Sequence, residues 1–273
     1  SGGKLVPVLA AATDALPVCH MILQYSKGDI IEVNGKRREV PVSNRLIMDY
    51  DTIHKSFHVE KEFLDYVESN AANVSSYSIS GFNSFVDREI LEDRLAILGN
   101  HYATVKARNP KSVIYLEGAH YLNPESKRCV FRTLSGMIDV LGMNEEELVD
   151  LAAKIGLTTD RDDFNSVIAA LEAVISKYPV KGIVLHTKDY SMYYGGMIEG
   201  VDIEKGLTLG NLMSATRART GLYGSPADCE KTLSLALSPV GMRFAANLDS
   251  LRHDRYACIV PSRYMETPEC TIG

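Results

Sequence analysis

The chain has 273 residues, 29 Lys plus Arg against 35 Asp plus Glu, a net charge of −6, 45% hydrophobic residues and no Trp. This is the composition of a folded globular protein, which excludes disordered, collagen-like and membrane-spanning classes. The acidic balance argues against a general affinity for nucleic acid or anionic lipid, so an anionic ligand needs a local basic pocket.

The five cysteines, Cys19, Cys129, Cys229, Cys258 and Cys270, form no CxxC pair and no zinc spacing. Their odd number and wide scatter resist a disulfide framework and point to a reducing cytoplasm. The first residues, SGGKLVPVLAAATDALP, lack the basic start of a secretory signal, and Pro7 and Pro17 interrupt any helix there. No window reaches the roughly 18 apolar residues of a membrane span, so no membrane partner is expected. At roughly 100–200 residues per domain, the length allows one large domain with a subdomain, or two small ones.

Residues 19–50 alternate apolar and polar side chains around turn signals at Lys27-Gly28-Asp29 and Asn34-Gly35, which predicts an antiparallel β unit. From about Asp51 the pattern changes to helical periodicity separated by short apolar runs, the alternation of a mainly parallel sheet with helices on its faces. Predicted strands are SYSIS before Gly81, then 112–117, 137–143, 181–187 and 256–261. Predicted helices run from Glu145 to Ile155 with Gly156 as the stop, from about Asp162 to Lys177, and from Ser225 toward Leu237 with Pro226 at the first turn. Tyr190, Tyr193 and Tyr194 read as packing residues or the lining of a hairpin.

In open α/β sheets ligands bind beyond the carboxyl ends of the strands. Here those positions are Gly81 to Asn83, Glu117, Asn144 to Glu147 and His186-Thr187. Glu117 and Glu147 could share a hydrated Mg²⁺ with a substrate phosphate, an arrangement suited to phosphoryl transfer. Asn144 and Glu147 also have the spacing of a helix capping box, and spacing alone favours that reading. Glu117 also reads as a salt-bridged strand end, His186 as a structural histidine, and His54 and His58 as a solvated helix start rather than a metal pair. Lys4, Arg217 and Arg219 could meet phosphate, although arginines near a helix end equally complement its dipole.

Taken in order, HMILQYSKG, VPVSNRLIMDYD, SISGFNSF, SVIYLEGA, IDVLGMNEEEL, IVLHTKDYSMYY and YACIVPSRYMETPECTIG resemble the ADP-dependent sugar kinases, the phosphofructokinases and glucokinases of the ribokinase-like superfamily. The Gly-Met-Asn-Glu segment, with its Asn-x-x-Glu motif, is the most specific match. Tyr115 stands where the family's His-x-Glu motif usually has His. The resemblance implies an α/β ribokinase-like fold, a mainly parallel sheet flanked by helices on both faces, with a small β lid. It divides the chain into a large-domain segment at 1–16, part of the lid at 17–50 and a nucleotide-binding domain at 51–273.

The implied reaction passes the β-phosphoryl group of ADP to a sugar hydroxyl in glycolysis, with AMP leaving. By the same resemblance Glu117, Asn144 and Glu147 hold Mg²⁺, a role that capping does not preclude. His186, Thr187 and Gly273 lie toward the nucleotide, with the helix near Asn211 to Arg219. Asn44, Arg45, Gly81 and Asn83 lie toward the sugar and lid. The family's catalytic Asp is expected beyond Gly273 and the N-terminal part of its sugar site before residue 1, so no catalytic base is assigned here. Fructose 6-phosphate is slightly favoured over glucose, because Lys36, Arg37, Arg38 and Arg45 could meet a phosphate dianion, although a solvated strand edge explains these cations equally well and activity on both sugars stays open. The competing expectations are a degenerate, non-catalytic nucleotide- or sugar-binding relative and an ATP-using kinase of the same superfamily.

Overall fold

A computed structural model describes residues 21–48, 59–85, 87–121, 123–250, 255–265 and 268–270. These fall into two compact units, one of residues 59–185 and 195–199, the other of residues 21–48, 186–194 and 200–270.

The second unit begins with the expected antiparallel strands. Strand β1 (Met21–Tyr25) pairs with β4 (Asn44–Met48), while β2 (Ile30–Val33) pairs with β3 (Lys36–Glu39). Asn34 and Gly35 adopt φ of 53° and 71°, the left-handed pair that a two-residue hairpin turn demands. Every residue of β2 and β3 is exposed.

The first unit is built on parallel strands β5 (Ser76–Ile79), β6 (Val113–Glu117), β7 (Val140–Met143) and β8 (Gly182–His186), adjacent in that order. Its helices are α1 (Lys61–Ser69), α2 (Arg88–Arg108), α3 (Pro124–Leu134), α4 (Glu145–Lys154) and α5 (Phe164–Lys177). Helix α2 starts because the Asp87 carboxylate accepts the N–H groups of Glu89 and Ile90 at 2.8 and 3.2 Å. It buries Leu91, Leu95, Leu98, Tyr102 and Val105 along one stripe. Helix α5 begins at Phe164 rather than Asp162, since the Asp163 side chain caps it by accepting the Ser166 N–H at 2.7 Å. Gly156, at φ 85°, follows the end of α4 in the left-handed conformation expected of a stop.

Strand β7 is shorter than predicted. The N–H groups of Met137 and Ile138 turn back to the Leu134 carbonyl, so the apolar run from 137 enters the sheet only at Val140. Between them, Asp139 accepts the Ile114 N–H at 2.8 Å and ion-pairs with Lys106 and Lys181, joining the amino-terminal ends of the strands.

The second unit continues through β9 (Tyr190–Gly195), α6 (Ile203–Thr220), α7 (Pro226–Leu233), α8 (Pro239–Ser250) and β10 (Tyr256–Pro261), with β9 beside β10. All six residues of β9 are buried, the tyrosines among them, so packing is their role as expected. Helix α7 stops short of Leu237. Tight turns close at Ser234 and Leu235, the Leu235 carbonyl accepts from Arg263 Nη1 at 2.8 Å, and Leu237 bridges to Arg263. Among the described residues no helix is long and apolar enough to cross a membrane.

Candidate functional site

In the first unit, the carboxyl ends of three neighbouring parallel strands gather five of the residues singled out in the sequence. Gly81 follows β5 in the left-handed conformation, φ 92°, and opens the short turn Phe82–Ser84 that contains Asn83. Phe82 and Phe85, both buried and stacked at 6.3 Å, pin that turn. Glu117 ends β6, and Asn144 follows β7 directly as the N-cap of α4.

The capping box is present in full. Asn144 Oδ1 accepts the Glu147 N–H at 2.9 Å and Glu147 Oε2 accepts the Asn144 N–H at 3.1 Å. Glu117 opposes Gly142 in the β6–β7 register. Gly118 donates its N–H to the Gly142 carbonyl at 2.7 Å, so the chain leaving β6 stays against β7. A Cβ on Gly118 would stand 3.3 Å from Glu147 Oε2, which places the Glu147 carboxylate beside the same strand end. Tyr115 O–H donates to Glu117 Oε2 at 2.5 Å. Burial pushes the Tyr115 phenol far up, and the Glu117 and Glu147 charges push it further, so it remains a protonated donor. Tyr121 is buried too, and its phenol is raised by burial first and then by Glu147.

Gly142 is the residue on which this packing depends. A Cβ there would overlap both the Tyr115 hydroxyl and Glu117 Oε2. Gly142→Ala is therefore expected to cost on the order of 1–3 kcal/mol, as overpacking a close contact does. Urea unfolding of the variant against the parent would check this.

Two half-buried carboxylates and an amide oxygen at two adjacent strand ends form a hard, oxygen-only donor set. Such a set fits Mg²⁺, which binds through one or two carboxylates and keeps several waters. It does not enclose a cation, since no group of three or more His, Cys, Asp or Glu is placed to hold a metal among the described residues.

In the second unit, Thr187 closes the turn before β9. Its Oγ1 accepts the N–H groups of Asp189 and Tyr190 at 3.1 and 3.0 Å. Thr187 also lines a cavity of about 540 Å³, within the roughly 300–1,000 Å³ of small-molecule pockets. Lys27, Lys188 and Arg263 line it against the carboxylate of Asp189, giving the local positive excess that the acidic chain otherwise lacks. Asp189 is anchored by the Ser238 hydroxyl at 2.6 Å. Asn211 also lines the cavity and is fixed by donating to the Val260 carbonyl at 2.8 Å. His186 ends β8 and does not line this cavity. Asn44 and Arg45 lie on β4, opposite Tyr25 and Gln24, with Asn44 Oδ1 accepting the Arg45 N–H at 2.8 Å.

Lys188, Asp189 and Arg263 did not emerge as site candidates from the sequence, although the strand-end rule reaches them when it is carried three residues beyond β8 and two beyond β10. Arg217 and Arg219 serve structure instead. Arg217 stacks on Tyr223 and donates to its hydroxyl at 2.9 Å, while Arg219 donates to Thr232 Oγ1 and the Asp228 carbonyl at 3.0 and 2.9 Å. Lys4, His54, His58 and Gly273 lie outside the described residues.

The sequence matches the ADP-specific phosphofructokinase/glucokinase conserved region over residues 6–273. The chain belongs to this family. No curated protein matches the sequence. The last common ancestor of ADP-dependent phosphofructokinases from Methanosarcinales superposes with a TM-score of 0.74 at 18% identity, over 95% of this chain and 60% of its own. A phosphofructokinase from Pyrococcus horikoshii OT3 with AMP gives 0.71 at 18% identity, over 94% of this chain and 61% of its own. An ADP-dependent kinase complex with fructose-6-phosphate and ADPβS gives 0.74 at 18% identity, over 94% of this chain and 63% of its own. The chain thus spans about 60% of the length of these ADP-dependent kinases. Its fold is theirs, the expected ribokinase-like α/β arrangement with a mainly parallel sheet.

Proposed function

We propose that the protein is an ADP-dependent sugar kinase that transfers the β-phosphoryl group of ADP to a sugar hydroxyl and releases AMP. The observation that carries this reading is the joining of Glu117, Asn144 and Glu147 at the ends of adjacent parallel strands in a family member. Phosphoryl transfer asks a protein mainly for alignment and for neutralisation of phosphate charge. Mg²⁺ held by Glu117 and Glu147 through its water shell, with Asn144 orienting the helix start, would supply that neutralisation.

The basic cavity beside Thr187 suits the nucleotide, with Lys27, Lys188 and Arg263 offering donors to phosphate. His186 and Gly273 keep their assignment to the nucleotide side on resemblance alone. Asn44, Arg45, Gly81 and Asn83 are assigned to the sugar. The antiparallel unit at 17–50 serves as part of a lid, whose closure excludes the water that competes as phosphoryl acceptor. The exposed cations of β3, with Arg45, favour an acceptor that already carries phosphate, and one of the superposed kinases was solved with fructose-6-phosphate. Cys129, Cys229, Cys258 and Cys270 are free thiols, which suits a cytoplasmic enzyme of sugar breakdown.

A coupled assay of the complete gene product with Mg²⁺ tests the reading. Turnover with ADP and fructose 6-phosphate is expected to exceed turnover with glucose, and ATP is expected to be a poor donor. Calorimetric ADP binding without turnover on either sugar would overturn the kinase assignment in favour of a non-catalytic binding protein. Faster turnover with ATP would overturn the choice of donor.

A further inference from the structure

Tyr115 and Glu117 are two residues apart on β6 and therefore share one face of the strand. The phenol reaches along that face and donates to Glu117 Oε2 at 2.5 Å, a short hydrogen bond to a charged acceptor. The register sets Glu117 against Gly142, and a side chain on Gly142 would occupy the space of both partners. The pair is therefore laid against the β7 backbone at a residue with no Cβ. The Glu147 carboxylate stands beside the same strand end, its Oε2 3.3 Å from where a Cβ on Gly118 would be. The hydroxyl spends its hydrogen on the carboxylate, so removing it alone leaves the ring in place.

We infer that Tyr115 is a positioning residue, whose hydroxyl fixes the Glu117 carboxylate against Gly142 so that it faces the same divalent cation as Glu147. This inference rests on the metal role proposed above for Glu117 and Glu147. Outer groups that orient a ligand typically change metal affinity about 10- to 100-fold when removed.

The test is Mn²⁺ binding to the complete protein, read by electron paramagnetic resonance, for the parent, Tyr115→Phe, Tyr115→His and Glu147→Gln. Tyr115→Phe is expected to weaken Mn²⁺ at least about 10-fold while lowering the unfolding temperature by only a few degrees. In turnover it should raise the Mg²⁺ concentration for half-maximal rate and leave the rate at saturating Mg²⁺ nearly intact. Tyr115→His keeps an N–H donor on the same face and is expected to recover part of the affinity. Parent-like affinity in Tyr115→Phe, together with loss of binding in Glu147→Gln, would overturn the positioning role and leave the metal site standing. Absence of Mn²⁺ binding in the parent, or its persistence in Glu147→Gln, would overturn the metal site and this inference with it.

Discussion

Replacing Glu147 by Gln is expected to lower phosphoryl transfer by the complete gene product about 100-fold, the upper end of what metal-orienting groups contribute. The fold should scarcely notice. Glu147 has two duties that this substitution separates. Its Oε2 accepts the Asn144 N–H, and the backbone N–H of residue 147 donates to Asn144 Oδ1. Gln retains an oxygen for the first bond and the same N–H for the second, so the capping box survives with a loss of under ~1 kcal/mol. What Gln cannot keep is the negative charge. Reduced turnover that is partly restored by raised Mg²⁺, in a protein that unfolds at the parent temperature, would assign the charge to the metal. Parent-like turnover would mean that Asn144 and Glu147 only start a helix, and the phosphoryl-transfer reading of this strand end would fail.

The same segment shows what a sequence discloses and what it hides. Asn144, Glu147 and Gly156 define helix α4 from spacing alone, because capping is local and each partner lies within one turn. The Tyr115, Glu117 and Gly142 arrangement has no such local signature. Its two halves lie on different strands, and only the register that sets Glu117 opposite Gly142 brings them together. The cavity of the second unit is harder still, since Lys27, Lys188 and Arg263 come from segments far apart in the chain. Strand β9 reads in the sequence only as tyrosines that pack or line a hairpin, because a strand buried on both sides loses the two-residue alternation that marks a half-exposed one. Strand β7 erred the other way. Met137 and Ile138 are apolar like the strand that follows, yet their N–H groups are spent on the turn at Leu134, which composition does not record.

The largest expected effect on stability belongs to Asp139. Its carboxylate is almost fully buried, accepts the Ile114 N–H at 2.8 Å, and pairs with Lys106 and with Lys181, the latter at 2.8 Å. Removing one member of a buried ionic group strands the others, at a cost of about 3–5 kcal/mol. Asp139→Ala leaves the Ile114 N–H without its acceptor and removes the counter-charge of Lys106, which keeps its bond to the Ser112 carbonyl at 2.6 Å, and the loss is a large part of the roughly 5–15 kcal/mol that holds a domain folded. Asp139→Asn keeps an acceptor for Ile114 but not the charge, so it should fall between the two. Burial alone would raise the Asp139 pKa, but the Ile114 N–H and the two lysines outweigh it and hold it below the ordinary value of 3.8. A carboxyl depressed on folding stabilises the folded state fully above its unfolded pKa and loses that contribution as pH falls through its lower folded value. Parent stability should therefore decline on acidification below about pH 5, and Asp139→Asn should lose part of that decline. Urea unfolding at pH 7 and at about pH 3 reads both effects. An Asp139→Ala loss under ~1 kcal/mol would show that water reaches the lysines once the carboxylate is gone. The junction of β6, β7 and β8 would then hold by packing alone.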